Sequence, residues 1–150
     1  MDLKITQEGN KFFLDGVINE FAKFQPLFDF AGSEIILNLK NVTRINSTGV
    51  REWINAIEKI GKEVAIFFED CPPVVVYQMT MIPNFTARAK VLSVYAPYYC
   101  AECGNQQDIL IVMEGFTLDK GVPEVKCTSC SAMMEFDDDE ESYFYFMELS

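Results

Sequence analysis

Hydrophobic residues follow two spacings that divide this chain into strand-like and helix-like segments. The predicted strands cover residues 3–6, 11–18, 35–39, 64–68 and 91–95. Gly9-Asn10 between the first two is a hairpin signal. The third and fourth are compact apolar runs, which are typical of strands buried on both faces of a sheet.

Helical spacing of apolar residues lies between these strands. The predicted helices cover residues 19–28, 48–60 and 72–82. Pro26 should shorten or kink the first helix, and Gly61 is a natural stop for the second. Trp53 lies on the apolar face of the second helix, so we expect it in the core. Pro72-Pro73 suits the start of the third helix, because proline fits the first helical turn.

The alternation of strands and helices predicts an α/β fold with a mixed, partly parallel sheet packed with helices. After Tyr95 the pattern changes. Residues 107–113 and 124–127 look like the two arms of a small β-rich ribbon, and residues 140–149 like a short helix or strand. We therefore divide the chain into domains 1–97 and 98–150, packed against each other.

Composition favours a folded, soluble protein. Hydrophobic residues make up 49% of the 150 residues, which is enough for a buried core. No apolar run approaches the length of a membrane span, and residues 1–8 lack the apolar segment of a signal peptide. We expect a cytoplasmic protein, and in that compartment paired cysteines bind metal more often than they form disulfides.

Charge and the lack of histidine exclude several functions. The net charge of −11 disfavours nucleic-acid binding, since that affinity depends on lysines and arginines that contact phosphate. Without histidine, neither a Ser-His-Asp nor a Cys-His catalytic pair can form. No spacing singles out a carboxylate or lysine for acid–base chemistry. We therefore expect a protein that is not an enzyme.

Four of the five cysteines occur in two Cys-x-x-Cys pairs and are the predicted metal ligands. They are Cys100, Cys103, Cys127 and Cys130. Two such turns can present four thiolates to one tetrahedral Zn²⁺. Gly104 supplies positive φ freely after the first pair, whereas Ser131 follows the second. A shell of four thiolates leaves no open position for a substrate, so the predicted zinc is structural.

Other assignments of the cysteines stay open. The same spacing suits iron in a rubredoxin-like site, which would make the chain a redox or electron-transfer protein. A redox-active pair would need a thiol of low pKa, usually at a helix N-terminus, and neither pair opens an evident helix. Cys71 is unpaired and is expected to be a small buried residue. The acidic run at residues 137–141 lacks the spacing of a Ca²⁺ loop and is expected to cap the last element.

A motif before the second helix resembles a known family. Ile45-Asn46-Ser47-Thr48-Gly49 follows a hydrophobic strand and opens a helix, and this arrangement is similar to the signature of STAS domains. That family includes sulfate-transporter tails and anti-sigma-factor antagonists, and its usual Asp is replaced by Asn46. The order of elements over residues 1–96 also matches. The resemblance implies a STAS-like fold over about two-thirds of the chain.

The resemblance also implies a bacterial signalling function. In anti-sigma-factor antagonists a kinase modifies the serine after the Asp, and the matching position is Ser47. Residues 46–49 (Asn46, Ser47, Thr48 and Gly49) would then belong to the surface that binds a regulatory protein, such as a kinase-like anti-sigma factor. A simpler interpretation is that Ser47 or Thr48 only caps the helix, and Asn46 can cap it too. The oligomeric state is open, although a strand edge could support self-association.

Overall fold

A mixed five-stranded sheet forms the larger part of the computed structural model, which describes residues 2–149. The strands lie side by side in chain order: β1 (Lys4–Glu8), β2 (Lys11–Ile18), β3 (Glu34–Ile45), β4 (Ala65–Glu69) and β5 (Lys90–Val91). Strand β1 is antiparallel to β2, and the other neighbours are parallel. The predicted mixed α/β class and the order of its elements are therefore confirmed.

Four α-helices lie among the described residues: α1 (Gln25–Phe28), α2 (Ser47–Lys59), α3 (Pro73–Met81) and α4 (Glu140–Tyr143). Two 3₁₀ helices cover Pro83–Phe85 and Tyr145–Glu148. The predictions for α2 and α3 are confirmed to within a residue at each end. The prediction that a helix starts at Asn19 is wrong. Residues 19–22 form a turn, and Pro26 lies in the first turn of α1, where its missing N–H costs nothing.

The core of the main sheet is centred on Trp53 of α2, which is fully buried as predicted. The rings of Phe24, Phe68 and Phe85 contact the Trp53 ring, with centroids 5.4–5.8 Å away. The indole Nε1–H donates to the carbonyl oxygen of Phe85 at 3.0 Å, so its one polar group is satisfied. We call these four residues the Trp53 core.

A second, three-stranded sheet contains β6 (Ser93–Tyr99), β7 (Gln106–Val112) and β8 (Glu135–Phe136), with β6 in the centre. Both β7 and β8 are antiparallel to β6. The predicted pairing of residues 107–113 with residues 124–127 is wrong. Residues 124–127 contribute only the isolated bridge between Lys126 and Met133, and the pairing partner of β7 is β6, which precedes it across the first cysteine pair.

Hydrogen bonds beyond the ends of β4 and β5 join the two sheets. The N–H of Leu92 donates to Phe68, and Cys71 exchanges two backbone bonds with Ser93 and Tyr95. The predicted strand at residues 91–95 is therefore longer than expected: its first residue belongs to β5, and the rest belongs to β6, which continues through Pro97 to Tyr99 without interruption. Strand β7 consequently forms the outer edge of a combined sheet whose opposite edge is β1.

A polar cluster strengthens this junction. Asp70 has a φ of +53°, which is unusual outside glycine, and two bonds to Ser93 hold it there. Its backbone N–H donates to the Ser93 hydroxyl, and that hydroxyl donates to the Asp70 carboxylate, both at 2.8 Å. The amide of the buried Asn38 donates to Glu69 and Asp70, and Lys11 forms an ion pair with Glu69.

The last elements pack on α3. Tyr143 of α4 makes an edge-to-face contact with Tyr77, and its backbone carbonyl accepts a bond from Thr80. Asp139 caps α4 by accepting a bond from the N–H of Ser142 at 3.0 Å, which confirms the capping role expected for the acidic run. The prediction left a short helix or strand open at residues 140–149, and the structure has helices there.

Candidate metal centre

The first cysteine pair forms the turn between β6 and β7. The N–H of Cys100 donates to the carbonyl of Asn105, and the N–H of Gly104 donates to the carbonyl of Cys100, both at 2.8 Å. Gly104 has a φ of +80°, as the sequence indicated. A glycine accepts this conformation without strain, so the chain can reverse direction sharply around the two sulfurs.

The second pair repeats the same hydrogen bonds. The N–H of Cys127 donates to Ala132 at 2.8 Å, and the N–H of Ser131 donates to Cys127 at 2.9 Å. Ser131 has a φ of +66°, so a serine adopts the conformation that Gly104 takes in the first turn. We call residues 100–105 and 127–132 the two cysteine turns. Their backbones match residue by residue.

The four sulfurs meet between the turns. All four lie within 4.8 Å of one another, and the Cys100–Cys130 and Cys103–Cys127 separations are 3.5 and 3.6 Å. Four thiolates around a tetrahedral Zn²⁺, each about 2.3 Å from the metal, would be about 3.8 Å apart. The cysteines are free, since a disulfide would bring two sulfurs to about 2.05 Å. The cluster could therefore hold one metal ion.

Backbone N–H groups point at the sulfurs and favour thiolates. Burial alone would raise the pKa of Cys127, but hydrogen bonds from the backbone of Cys130 and Ser129 outweigh burial and lower that pKa to about 6. In the same positions of each turn, the backbone N–H groups of Asn105 and Ala132 lower the pKa values of Cys103 and Cys130, but the neighbouring cysteines and burial outweigh them. The pKa of Cys103 is therefore raised, and that of Cys130 is raised to about 12. Because metals bind the thiolate, the donors prepare Cys127 for a cation, and the charge of the cation would offset the repulsion among the other sulfurs.

A polar brace, made of Asn105, Gln107 and Thr128, connects the two turns. The Asn105 side-chain amide donates to Gln107 at 2.9 Å and approaches the Cys127 sulfur at 3.6 Å. The same Gln107 oxygen accepts from the N–H and hydroxyl of Thr128, at 3.2 and 3.0 Å. No local pattern in the sequence predicts this brace, because it depends on the pairing of β6 with β7.

Exposure differs within the cluster. Cys100 and Cys127 are buried, whereas Cys103 and Cys130 are exposed. Cys71 lies outside the cluster and is fully buried as predicted, and this burial raises the pKa of its thiol. Four sulfurs saturate a tetrahedral ion, so the arrangement can hold a metal or pass electrons but offers no place for a substrate on the metal.

The Asn46–Gly49 turn lies between β3 and α2. Asn46 is the N-cap of α2, and its side-chain oxygen accepts a bond from the N–H of Gly49 at 2.7 Å. The prediction that Ser47 or Thr48 caps the helix is therefore wrong, because an Asn immediately before them already satisfies that donor. Asn46 and Ser47 are exposed, and Thr48 is half-buried.

Gly49 is buried where α2 touches the end of β2. A Cβ at this position would lie 2.0 Å from the carbonyl oxygen of Ile18 and 3.0 Å from the Cα of Asn19. These are backbone atoms that cannot move aside, so only glycine fits. Gly49 therefore sets how closely α2 approaches the sheet, and it lies beneath the surface that Asn46 and Ser47 form.

Comparison with known proteins assigns no family to the chain. No protein-family model matches the chain, and no curated protein matches its sequence. Among residues 2–149, no helix has the length and apolar character needed to cross a bilayer. The structure shows a mixed α/β fold with a four-cysteine cluster that could bind a metal ion.

Proposed function

We propose that this chain is a non-enzymatic bacterial signalling module of the cytoplasm, similar in role to anti-sigma-factor antagonists. It holds a structural Zn²⁺ and binds a regulatory protein, such as a kinase-like anti-sigma factor, through a STAS-like surface around Ser47. The observation that carries this proposal is the position of Ser47. Its hydroxyl is exposed in the first turn of α2 and is not needed as a cap, because Asn46 caps the helix.

The division of labour in this turn supports modification of Ser47. Because Asn46 caps α2 and Gly49 sets its distance from the sheet, Ser47 can change without loss of either contact. A phosphate at this position would meet free N–H groups and the positive end of the helix dipole. Arg51 lies four residues later on the same helix and is exposed, at the spacing that lets two side chains pair.

Phosphorylation would act on the partner mainly through charge. Residues 1–97 carry 11 acidic and 10 basic side chains, so this part of the chain is nearly neutral. A phosphate adds about 1.5 to 2 negative charges, which is large against that background. A partner that docks on a neutral surface around Asn46 and Ser47 would be repelled.

Copurification tests the proposed surface. A tagged chain is expressed in its native cell, and the proteins recovered with it are compared for wild type, Ser47→Asp and Ser33→Asp. Ser33 is also exposed but lies before β3, so it controls for added charge alone. We expect Ser47→Asp to lose a partner that wild type and Ser33→Asp retain. Equal recovery by all three would reduce the Asn46–Gly49 turn to a structural role.

Zinc is the metal that we propose for the four cysteines. Paired cysteine turns that leave no open coordination position are typical of structural zinc. The same sulfurs would also accept iron, which would favour electron transfer as the function. Elemental analysis and visible absorption separate the two: zinc leaves the protein colourless because its d shell is full, and an iron–thiolate site is coloured.

A further inference from the structure

The sheet edges of this molecule are not equally protected. Strands β5 and β8 have two residues each, too short to pair with another chain. The outer edge strand β1 has five residues, and nearly all its side chains are exposed and polar. Strand β7 is a longer edge strand of seven residues, and two of its four exposed side chains, Leu110 and Val112, are large and apolar.

The register shows which backbone groups of β7 face outward. Just beyond the two ends of the β6–β7 ladder, Cys100 N–H bonds to Asn105 and Met113 N–H bonds to Leu92. Antiparallel strands alternate bonded and non-bonded pairs, so residues 107, 109 and 111 direct their N–H and C=O groups at β6. Residues 106, 108, 110 and 112 therefore direct theirs away from the sheet.

The same alternate residues carry the exposed side chains. Leu110 is 45% exposed and Val112 is 58% exposed, whereas Ile111 between them is buried. Asp108 is the one charged residue in the strand. An added strand could therefore form main-chain bonds along this edge and also bury two apolar side chains.

Charge decides between the possible occupants of this edge. Residues 98–150 carry 12 acidic and two basic side chains, so the part of the chain that contains β7 has a net charge of −10. Asp108 lies on the edge strand itself, among the outward residues. Asp137 and Asp138 follow β8 on the other side of β6 and add to the negative charge of this sheet. A second copy would bring the same excess of negative charge and be repelled, whereas a basic segment would be attracted.

We propose that the outer edge of β7 binds an extended, lysine- or arginine-rich segment of another protein as an added β-strand. Main-chain bonds to residues 108, 110 and 112 supply the pairing. Leu110 and Val112 contact apolar residues at alternate positions of the segment, and the acidic surroundings select positive charge at the others. This surface is separate from the turn around Ser47 and does not depend on phosphorylation.

Peptide binding by the metal-loaded full chain tests the proposal. The probe is a labelled peptide of about ten residues in which valine and lysine alternate, and its matched control alternates valine and glutamate. We expect the lysine peptide to bind and the glutamate peptide not to bind. In amide hydrogen exchange, the bound lysine peptide should protect the N–H groups of Leu110 and Val112. The exchange of Gln7 in β1 and of Asn10 in the turn after it should be unchanged.

Two substitutions locate the binding edge. Leu110→Pro removes an outward N–H without breaking a bond to β6, and Leu110→Thr shortens the apolar contact but keeps the N–H. We expect Leu110→Pro to weaken lysine-peptide binding at least tenfold and Leu110→Thr to weaken it less. Should Leu110→Pro disturb the fold, Asp108→Lys provides a second arm, and it should also lower the affinity. The proposal would be overturned if Leu110→Pro and Asp108→Lys both bound the lysine peptide as tightly as wild type. It would also be overturned if the bound peptide protected amides outside β7, or if the chain self-associated through β7.

Discussion

The Trp53 core and the two cysteine turns are held together by different forces. Around Trp53, four aromatic side chains from different elements are buried against one another, and the hydrophobic effect suffices. The cysteine turns instead meet through four sulfurs and the polar brace, with half of their cysteines exposed. Burial can fix the first region, whereas the second, with the structural zinc that we propose, would depend on the metal to outweigh its chain entropy.

Removing the metal should have the largest effect on stability, and it should unfold the cysteine turns while the Trp53 core stays folded. Structural zinc contributes about 10–16 kcal/mol of apparent binding free energy in small zinc peptides, which is large against the burial of Cys100 and Cys127 in the two turns. We expect a strong chelator to abolish amide protection of Cys100 and Cys127 while Trp53 fluorescence stays native. Hydrogen exchange and emission spectra measure the two responses.

Cysteine substitutions provide the matched control for chelation. Cys130→Ser removes a ligand and should lower the metal content below one ion per chain, with the same local loss of protection. Cys71→Ala removes a buried thiol outside the cluster and should keep the full metal content. A metal-free chain with unchanged protection and an unchanged melting temperature would show that the turns are stable without an ion.

Gly49→Ala tests the other side of the comparison. The new methyl group would overlap the carbonyl oxygen of Ile18, so α2 and the Trp53 core must shift. We expect a loss of about 3 kcal/mol in the free energy of unfolding, with metal content unchanged. Urea denaturation followed by Trp53 fluorescence measures it. Gly61→Ala is the control, because its methyl group meets only the flexible side chain of Glu63, and a loss of equal size there would contradict this explanation.

The same division explains how far the sequence could predict the structure. Local patterns were sufficient for α2, α3 and the order of strands and helices along residues 1–96, and for the grouping of the four cysteines. They were insufficient where a partner is distant in sequence. The pairing of β7 with β6, and with it the brace from Gln107 to Thr128, depends on a register that no local pattern specifies. The N-cap of α2 was open among Asn46, Ser47 and Thr48, because all three side chains offer an oxygen to the same N–H, and the structure selects Asn46.

Tyr98 connects the two regions and gives a smaller, pH-dependent effect. Its hydroxyl donates to the carbonyl of Pro123 at 2.7 Å, which ties β6 to the segment before the second cysteine turn. Burial, and then the nearby Glu140, raise the pKa of Tyr98 to about 12. The neutral form is therefore favoured by folding, so its contribution is complete below pH 10 and is lost as the pH rises toward 12.

Tyr98→Phe should remove this contribution. We expect a loss of about 1 kcal/mol at neutral pH, because the carbonyl of Pro123 loses a partner. The variant should also lose less additional stability than wild type between pH 10 and 12. Denaturation at a series of pH values measures both. Identical alkaline profiles for the two proteins would contradict the assignment to Tyr98.

The smallest expected effect distinguishes the two cysteine turns from each other. Gly104 and Ser131 occupy equivalent positions with φ of +80° and +66°, but only Ser131 has a Cβ in the left-handed region. That conformation costs an ordinary residue about 1 kcal/mol relative to glycine. Ser131→Gly should therefore stabilise the metal-loaded protein by up to about 1 kcal/mol, and Gly104→Ala should destabilise it by a similar amount, since nothing else lies within 4 Å of the new methyl group.

Melting temperatures of the two variants at full metal content measure the difference. Opposite signs would mean that the turns share a backbone pattern and differ in the strain each carries, whereas equal signs would mean that the match between them ends at the hydrogen bonds.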